Sequence, residues 1–451
     1  MVREKFFYID KKKYLMAWLL ITACFALWGF ANNVTTPMVN AFSKIFCIST
    51  AEASLVPVVF NLGYFCLAFP AAMFIQKYSY KLGVIVGLGL YALGALAFIP
   101  ARMIGDFYPF LMVYFILTCG LSFLETACNP YIYTLGSKRF AIQRLNATQA
   151  FNALGSVVGM LVAIDVHSHL TPVESHLRQR LPLQQFESIK DSDLGILIQP
   201  YIFIGAIVII MLVLVALMKM PKNMDIHTKQ GTMNTLKNLL RQKPYREGVI
   251  AEFFYIGAQV CCWTFIIQYG TRVFTAEGMT EQAAEVLSQK YNAIALIFFA
   301  AGRFVCASLM RYFPASRILS TLAIIGCATI LGIILFSDRN GVYCLVIVSA
   351  CLSLMFPTIY GIALLDVPVE NIKIAGAGLI MAILGGSFFP LIQALIIQQR
   401  VSILGLPSTN VSFIIPLLCL GVIVWYGHRS YVRYHIVSDD GESPSTALSV
   451  I

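Results

Sequence analysis

A chain of 451 residues that is 59% hydrophobic and only 12% charged does not have water as its main solvent, because soluble domains carry about 25% charged residues. Its net charge of +10 comes from Lys and Arg scattered through short polar stretches between apolar runs, which is a topology signal and not a phosphate-binding face. The twelve cysteines lie almost entirely inside the apolar runs, with no pair at metal-ligand spacing, and so read as small buried thiols, not a disulfide framework.

The stretch from Met1 to Lys13 is basic, and the apolar run from Tyr14 is too long for a signal-peptide core and lacks a cleavage site. It reads as a retained first membrane helix. About 20 mostly apolar residues cross a bilayer. By that rule twelve helices run over 14–40, 52–76, 82–103, 107–135, 144–165, 197–219, 248–274, 285–310, 317–336, 341–365, 373–398 and 410–428. The expected fold is an all-α polytopic membrane protein with twelve transmembrane helices in two six-helix halves. Residues 1–219 form the N-terminal bundle, 220–246 a cytoplasmic central loop, 247–437 the C-terminal bundle and 438–451 a polar cytoplasmic tail.

With the N-terminus inside, 23 of the 32 Lys and Arg residues fall on the inner segments and 9 on the outer ones. That bias places both termini in the cytoplasm. The outer segment 165–193 has mixed charge and holds His167, His169 and His176. It reads as a hydrated surface loop, since no cysteine or fixed helical spacing supports metal ligation.

The halves echo each other. Pro130-Tyr131-Ile132-Tyr133 answers Pro357-Thr358-Ile359-Tyr360, Gly155 answers Gly385, and Gly29 answers Gly257, at offsets of 227 to 230 residues. The near-constant offset argues for a six-plus-six parallel repeat, a layout that rocks about a site near the bilayer midplane.

Glu125 lies near the middle of the fourth helix. An ionisable group at that depth is costly and by default functional. It suits proton exchange or a strong hydrogen bond to a hydroxyl, and the alternative is a structural acid bonded across helices. Asn129 follows at i+4 on the same face, and Gln149 and Asn152 share a face of the fifth helix. Amides offer donors and an acceptor to sugar hydroxyls, although they also hold membrane helices together. Asn32 and Asn33 precede Thr35, Thr36 and Pro37 in the first helix, where the proline frees a carbonyl and kinks the chain. In the second half, Gln259 and Trp263 stand at i, i+4, an amide beside an aromatic face that suits a pyranose. Phe356 and Tyr360 share a face of the tenth helix and complete the candidate pocket, or else belong to the core. Asp165, Glu252 and Asp366 read as lying near helix ends within reach of water, and Arg303 as a snorkelling or loop-capping residue. No nucleotide loop, zinc motif or Ser/His/Asp arrangement is present, so no cofactor and no enzymatic activity is expected.

Several of these runs are similar to those of one family: Trp28-Gly29-Phe30-Ala31-Asn32-Asn33, Leu124-Glu125-Thr126-Ala127-Cys128-Asn129-Pro130, Arg144-Leu145-Asn146, Gln149-Ala150-Phe151-Asn152, and Gly257-Ala258-Gln259 with Trp263. They resemble the fucose:proton symporter family, which also holds glucose/galactose transporters. The resemblance extends from the first helix into the eleventh. It implies a major facilitator fold, a midplane sugar site lined by Glu125, Gln149, Asn152 and Gln259, and proton symport. The family carries an acid after the Asn-Asn pair of the first helix, where this chain has Thr36, and a Tyr where this chain has Phe356. Thr36 cannot titrate in this range, which leaves Glu125 as the deep titratable group of the cavity.

The expected function is therefore import of a monosaccharide, fucose or a related hexose or deoxy-sugar, by proton symport with alternating access. A sugar uniporter is the alternative that Thr36 favours, and a sugar-sensing receptor on a transporter scaffold is the alternative of another class. The expected partners are the sugar, protons and the lipid bilayer, with no nucleic acid, and the expected state is a monomer in a bacterial inner membrane or plasma membrane.

Overall fold

The computed structural model describes residues 11–53, 55–171, 178, 180–218, 232–399 and 405–436. Twelve helices in it are long and apolar enough to cross a membrane. They are α1 (Lys11–Phe46), α2 (Leu55–Lys77), α3 (Tyr80–Ile104), α4 (Phe107–Thr134), α5 (Ala141–His169), α6 (Leu183–Leu217), α7 (Lys243–Ala276), α8 (Glu281–Leu309), α9 (Ala315–Leu335), α10 in two pieces (Arg339–Leu352 and Met355–Ala363), α11 in two pieces (Ile372–Met381 and Gly385–Gln398) and α12 (Ile414–Tyr431). Because the spans alternate in direction, the start of α1 and the finish of α12 lie at one end of the bundle. It is called the N–C end below.

The sequence repeat reappears in the packing. Within the first six helices, α1 lies along α5, α3 along α4 and α6, and α2 along α4. Shifted by six, the same pattern holds: α7 lies along α11, α9 along α10 and α12, and α8 along α10. The two sets meet through α5 against α8 and α2 against α11, contacts that exchange under the same shift. The matched glycines explain the tightest of these pairs. A Cβ on Gly155 would collide with the Ala26 carbonyl of α1, and one on Gly385 with the Phe253 carbonyl of α7. Small residues at such crossings let backbones approach, which is where membrane helices gain their packing energy.

Three segments differ from the sequence expectation. The outer segment is mostly helix, because α5 runs to His169 and α6 begins at Leu183. Its core is a buried knot. Asp193 accepts from Arg178 Nη2 at 2.6 Å and from the Thr171 amide and hydroxyl at 2.9 and 2.7 Å, and both members of the ion pair are almost wholly buried. The apolar-run criterion ended α6 at the charged residues and missed that they satisfy one another. Of the three histidines, His169 bonds the Asp165 carbonyl and His176 lies outside the described residues. Among the described residues no cluster of His, Cys, Asp and Glu could hold a metal ion.

The central segment also carries helix, at Thr232–Arg241, and α7 begins at Lys243, earlier than the expected 248. Pro244 sits in the first turn of α7, where its missing N–H costs nothing and its fixed φ favours a helix start. Residues 219–231 and the expected tail at 438–451 lie outside the described residues. Finally, α10 and α11 are interrupted, at 353–354 and at the tight turn Ala382–Leu384. All twelve cysteines are free thiols.

Replacing Gly155 or Gly385 with Val should destabilise the purified protein by about 1–3 kcal/mol, the usual cost of overpacking, read as an earlier thermal unfolding transition. Gly421→Ala, where a Cβ meets nothing within 4 Å, is the control that should leave the transition in place or raise it.

Candidate functional site

The helices bring most of the sequence-predicted polar residues to the interface between the two sets of six. Glu125 is buried at 4% exposure in α4. Tyr64 of α2 stands beside it, its hydroxyl donating to Asn32 Oδ1 of α1 at 3.3 Å while lying next to the Glu125 carboxylate. On the other side, Arg303 of α8 acts on Glu125 through space. Three helices of one set and one helix of the other therefore converge on this carboxyl.

Of the two roles expected for Arg303, it takes the second, pairing with carbonyls, but at the interface between the sets and not in a loop. It does not snorkel toward water. It is 3% exposed, with Nε on the Ser353 carbonyl at 2.6 Å, and Nη1 on the Gln149 carbonyl at 2.6 Å and Gln149 Oε1 at 3.1 Å. Ser353 is at the break in α10, and Pro357, four residues on, has no N–H to give its carbonyl, which is left for Arg303. Gln149 in turn donates to Asn129 Oδ1 at 3.0 Å. The guanidinium lies over the Phe299 ring at 4.5 Å, and Phe299 packs edge-on against Trp263 at 4.8 Å. A continuous path thus runs from Trp263 through Phe299 and Arg303 to Gln149 and Asn129.

The polar atoms left over are the ones a ligand could meet. The Asn129 Nδ2, Trp263 Nε1, Asn292 Oδ1 and Tyr360 hydroxyl are buried and have no hydrogen-bond partner among the described residues. Such atoms are costly unless something satisfies them. Gln259 is buried on the same helix as Trp263, and Phe356 stacks on Tyr360 with centroids 6.1 Å apart. Tyr360 lies beside Gly376 and near Pro130, so the two repeat-related proline motifs approach each other. Asn292 went unremarked in the sequence because a lone Asn in an apolar helix has no distinguishing pattern.

Other predicted residues have local duties. Asn152 donates to the Phe25 carbonyl at 3.2 Å and so ties α5 to α1, and Asn33 donates to the Gly29 carbonyl in its own helix at 3.3 Å. The side chains of Thr36 and Pro37 lie outside the described residues.

A larger correction concerns the acids. Asp165 and Asp366 are exposed as expected, but Glu252 is not near water. The early start of α7 puts Glu252 nine residues from the N–C end of its helix, and Glu125 is likewise nine residues from the N–C end of α4, roughly 14 Å at 1.5 Å per residue. Glu252 is fully buried, so Glu125 is not the only deep carboxyl.

Nearer the N–C end, donors of each set reach oxygens of the other, three of them carbonyls and one a hydroxyl. Lys138 Nζ donates to the Leu365 carbonyl at 2.5 Å, Gln143 to the Ala307 carbonyl at 3.1 Å, Asn146 to Thr358 Oγ1 at 3.2 Å, and Lys373 Nζ to the Ile75 carbonyl at 3.4 Å. Most of these carbonyls sit in the last turn of a helix or just past it, where a cation is favoured. Arg144 does the same within its own set, capping the end of α4 through the Ile132, Tyr133 and Ser137 carbonyls. Further toward the opposite end, Asn61 of α2 bonds Ser387 of α11 at 2.8 Å.

Removing the Arg303 fork should loosen this clasp. Cys306 lies one turn along α8 and is buried. In Arg303→Ala its alkylation, followed by peptide mass spectrometry, should speed up about tenfold or more, since hydrogen bonds to a charged group contribute about 1.5–3 kcal/mol each. Labelling of Cys419, buried in α12, should not change. Equal acceleration at both cysteines would mean general unfolding, and no acceleration would mean Arg303 does not hold the interface.

Comparison with known proteins places these features. The chain matches the model of the Major Facilitator Superfamily over residues 19–390. It is 44% identical over 432 residues to the L-fucose-proton symporter of Haemophilus influenzae, covering 93% of this chain and 98% of that protein. It is 31% identical to the L-fucose-proton symporter of Escherichia coli, over 92% and 93% of the two chains, and 26% identical to a glucose/galactose transporter of Brucella abortus, over 93% and 95%. A crystal structure of the Escherichia coli fucose:proton symporter in the outward conformation superposes with a TM-score of 0.81 at 29% identity, covering 93% of this chain and 99% of that one.

Proposed function

The chain belongs to the Major Facilitator Superfamily, and from that premise we propose that it imports a monosaccharide together with a proton by alternating access, with L-fucose the first candidate and a related hexose or deoxy-sugar the second. The observation that carries the reading is the setting of Glu125, buried between the Asn32–Tyr64 pair and the charge of Arg303. The names of the relatives support the sugar class.

The two bundles, 1–219 and 247–437, are the moving parts, and both termini face the cytoplasm. The N–C end is then the cytoplasmic gate, clasped in this conformation by Lys138, Gln143, Asn146, Arg303 and Lys373. Glu125 belongs to one bundle and Arg303 to the other. An ionised Glu125 attracts Arg303 and favours the clasped state. Protonation removes that attraction, so a proton bound from outside lowers the cost of opening inward. A ligand shifts such an equilibrium only through its different affinity for the two states, and the Coulomb interaction supplies that difference for the proton.

The sugar's hydroxyls would take the unpaired donors and acceptors of Asn129 and Tyr360 near Glu125 and of Asn292 further along α8, with Gln149 and Gln259 alongside. The Trp263 ring would cover an apolar face of the pyranose, while its N–H remains free for a hydroxyl. Filling these positions satisfies groups that are otherwise buried without partners, which is the source of selectivity for a hydroxylated ligand over an apolar one.

In proteoliposomes, an acid exterior should drive the sugar above its outside concentration, and collapsing the pH gradient should stop the accumulation. Equilibration without accumulation would instead support the uniporter reading that Thr36 motivates. Glu125→Gln should make uptake indifferent to the gradient. Wild-type accumulation in that variant would remove Glu125 from the coupling. A panel of monosaccharides read by Trp263 fluorescence at two pH values identifies the substrate.

A further inference from the structure

Asp193 and Glu247 are buried acids held by arginines, whereas a third buried acid is not. Glu252 of α7 has 0% exposure, and neither carboxylate oxygen has a hydrogen-bond donor among the described residues. A buried carboxyl is ordinarily paired or bonded, because an isolated ion in an apolar medium is strongly unfavourable. Nothing here performs that task. Tyr255, one turn along α7, donates its hydroxyl to the Leu352 carbonyl. Tyr360 of α10 and Tyr426 of α12 also border Glu252, and a phenol is itself an acid and not a counter-charge. From α4, Glu125 acts on it as a like charge. Arg303 of α8 acts on Glu125 and Tyr255. Among the described residues, no cation is recorded as acting on Glu252. The two carboxyls stand nine residues from the N–C ends of their helices, one in each bundle, and the charge of Glu125 reaches Glu252.

We propose that Glu252 is a second proton-carrying residue of the transport cycle, paired electrostatically with Glu125 across the interface between the bundles. The inference rests on the proton-symport reading and extends it. Glu252 holds a proton on one carboxylate oxygen while the N–C end is clasped. When that end opens, the O–H bond breaks to water from that side and the carboxylate is left ionised. Because two like charges in one low-dielectric region oppose each other, ionising Glu252 favours retention of the proton on Glu125, and loading Glu252 favours release from Glu125. The pair therefore titrates as a unit. This gives the chain a second acid where the first helix carries Thr36, and places it in the opposite bundle.

The test is pH-difference infrared spectroscopy on the full-length protein in liposomes, between about pH 5 and about pH 9, the range a buried carboxyl reaches. Wild type should show two titrating protonated-carboxyl C=O bands. Glu252→Gln should lose one band and move the midpoint of the other to lower pH by about one pH unit, since a like charge has been removed. Glu125→Gln should lose the other band and shift the Glu252 band in the same direction. Glu252→Asp keeps a titrating group and should restore a second band, which also covers the case in which the Gln variant does not fold. Two bands in wild type without sugar-dependent proton uptake would overturn the symport reading while leaving the pair intact. A single titrating band in wild type that survives Glu252→Gln unshifted would overturn the pair, even if sugar uptake proves proton-driven.

Discussion

The structure depends on one constraint: a guanidinium buried at the meeting of two bundles must find all its partners inside the protein. Arg303 does so by reaching the Gln149 backbone and side chain on one side and the Ser353 carbonyl on its own side. The Tyr255 hydroxyl and, through space, the Glu125 carboxyl act on its charge. Removing either partner of a buried charged pair leaves an uncompensated charge. In the proposed cycle, the stability of the clasped conformation and the protonation of Glu125 are thereby linked. Pro357 belongs to this arrangement, because the residue four beyond Ser353 would otherwise donate its N–H to the Ser353 carbonyl, and proline has none.

The pseudo-symmetry gives that constraint its mechanical use. The helix pairings of the first bundle recur six helices later, and the interface contacts exchange under the same operation. Lys138 of one bundle ends at the Leu365 carbonyl, and Lys373 of the other at the Ile75 carbonyl. Each cation meets the carbonyls where a helix finishes, so the proposed gate rests on bonds that can be exchanged for water without unsatisfying the membrane interior. Bonds deep in the interface, such as Gln149 to Asn129, have no such substitute unless a hydroxylated ligand provides it.

Much of this was legible in the sequence. Twelve spans, the repeat and the Glu125–Asn129–Gln149 cluster followed from apolar run length, offset matches and helical spacing, because each is a local or periodic property. Where charged residues begin a helix, the same criteria failed. Asp193 and Glu252 were placed near water because the apolar runs seemed to start at 197 and 248, whereas α6 and α7 start at Leu183 and Lys243. Pro244 was an available signal for the earlier start of α7. Arg178 gave none, since its pairing with Asp193 bridges segments that only folding brings together.

The sequence by itself determined the solvent of this chain, its helix count, its internal duplication and the presence of a carboxyl at mid-depth, because hydropathy and periodicity act along the chain. Only the tertiary structure decided what that carboxyl faces. Tyr64 and Arg303 come from helices distant in sequence, and no spacing rule links residues 64, 125 and 303. The same holds for Glu252: its depth is set by where α7 begins, and its lack of a partner by what α10 and α12 place around it. Electrostatics in a low-dielectric interior depends on three-dimensional neighbours, so the number of buried acids and the neighbours of each became visible only once the helices were packed.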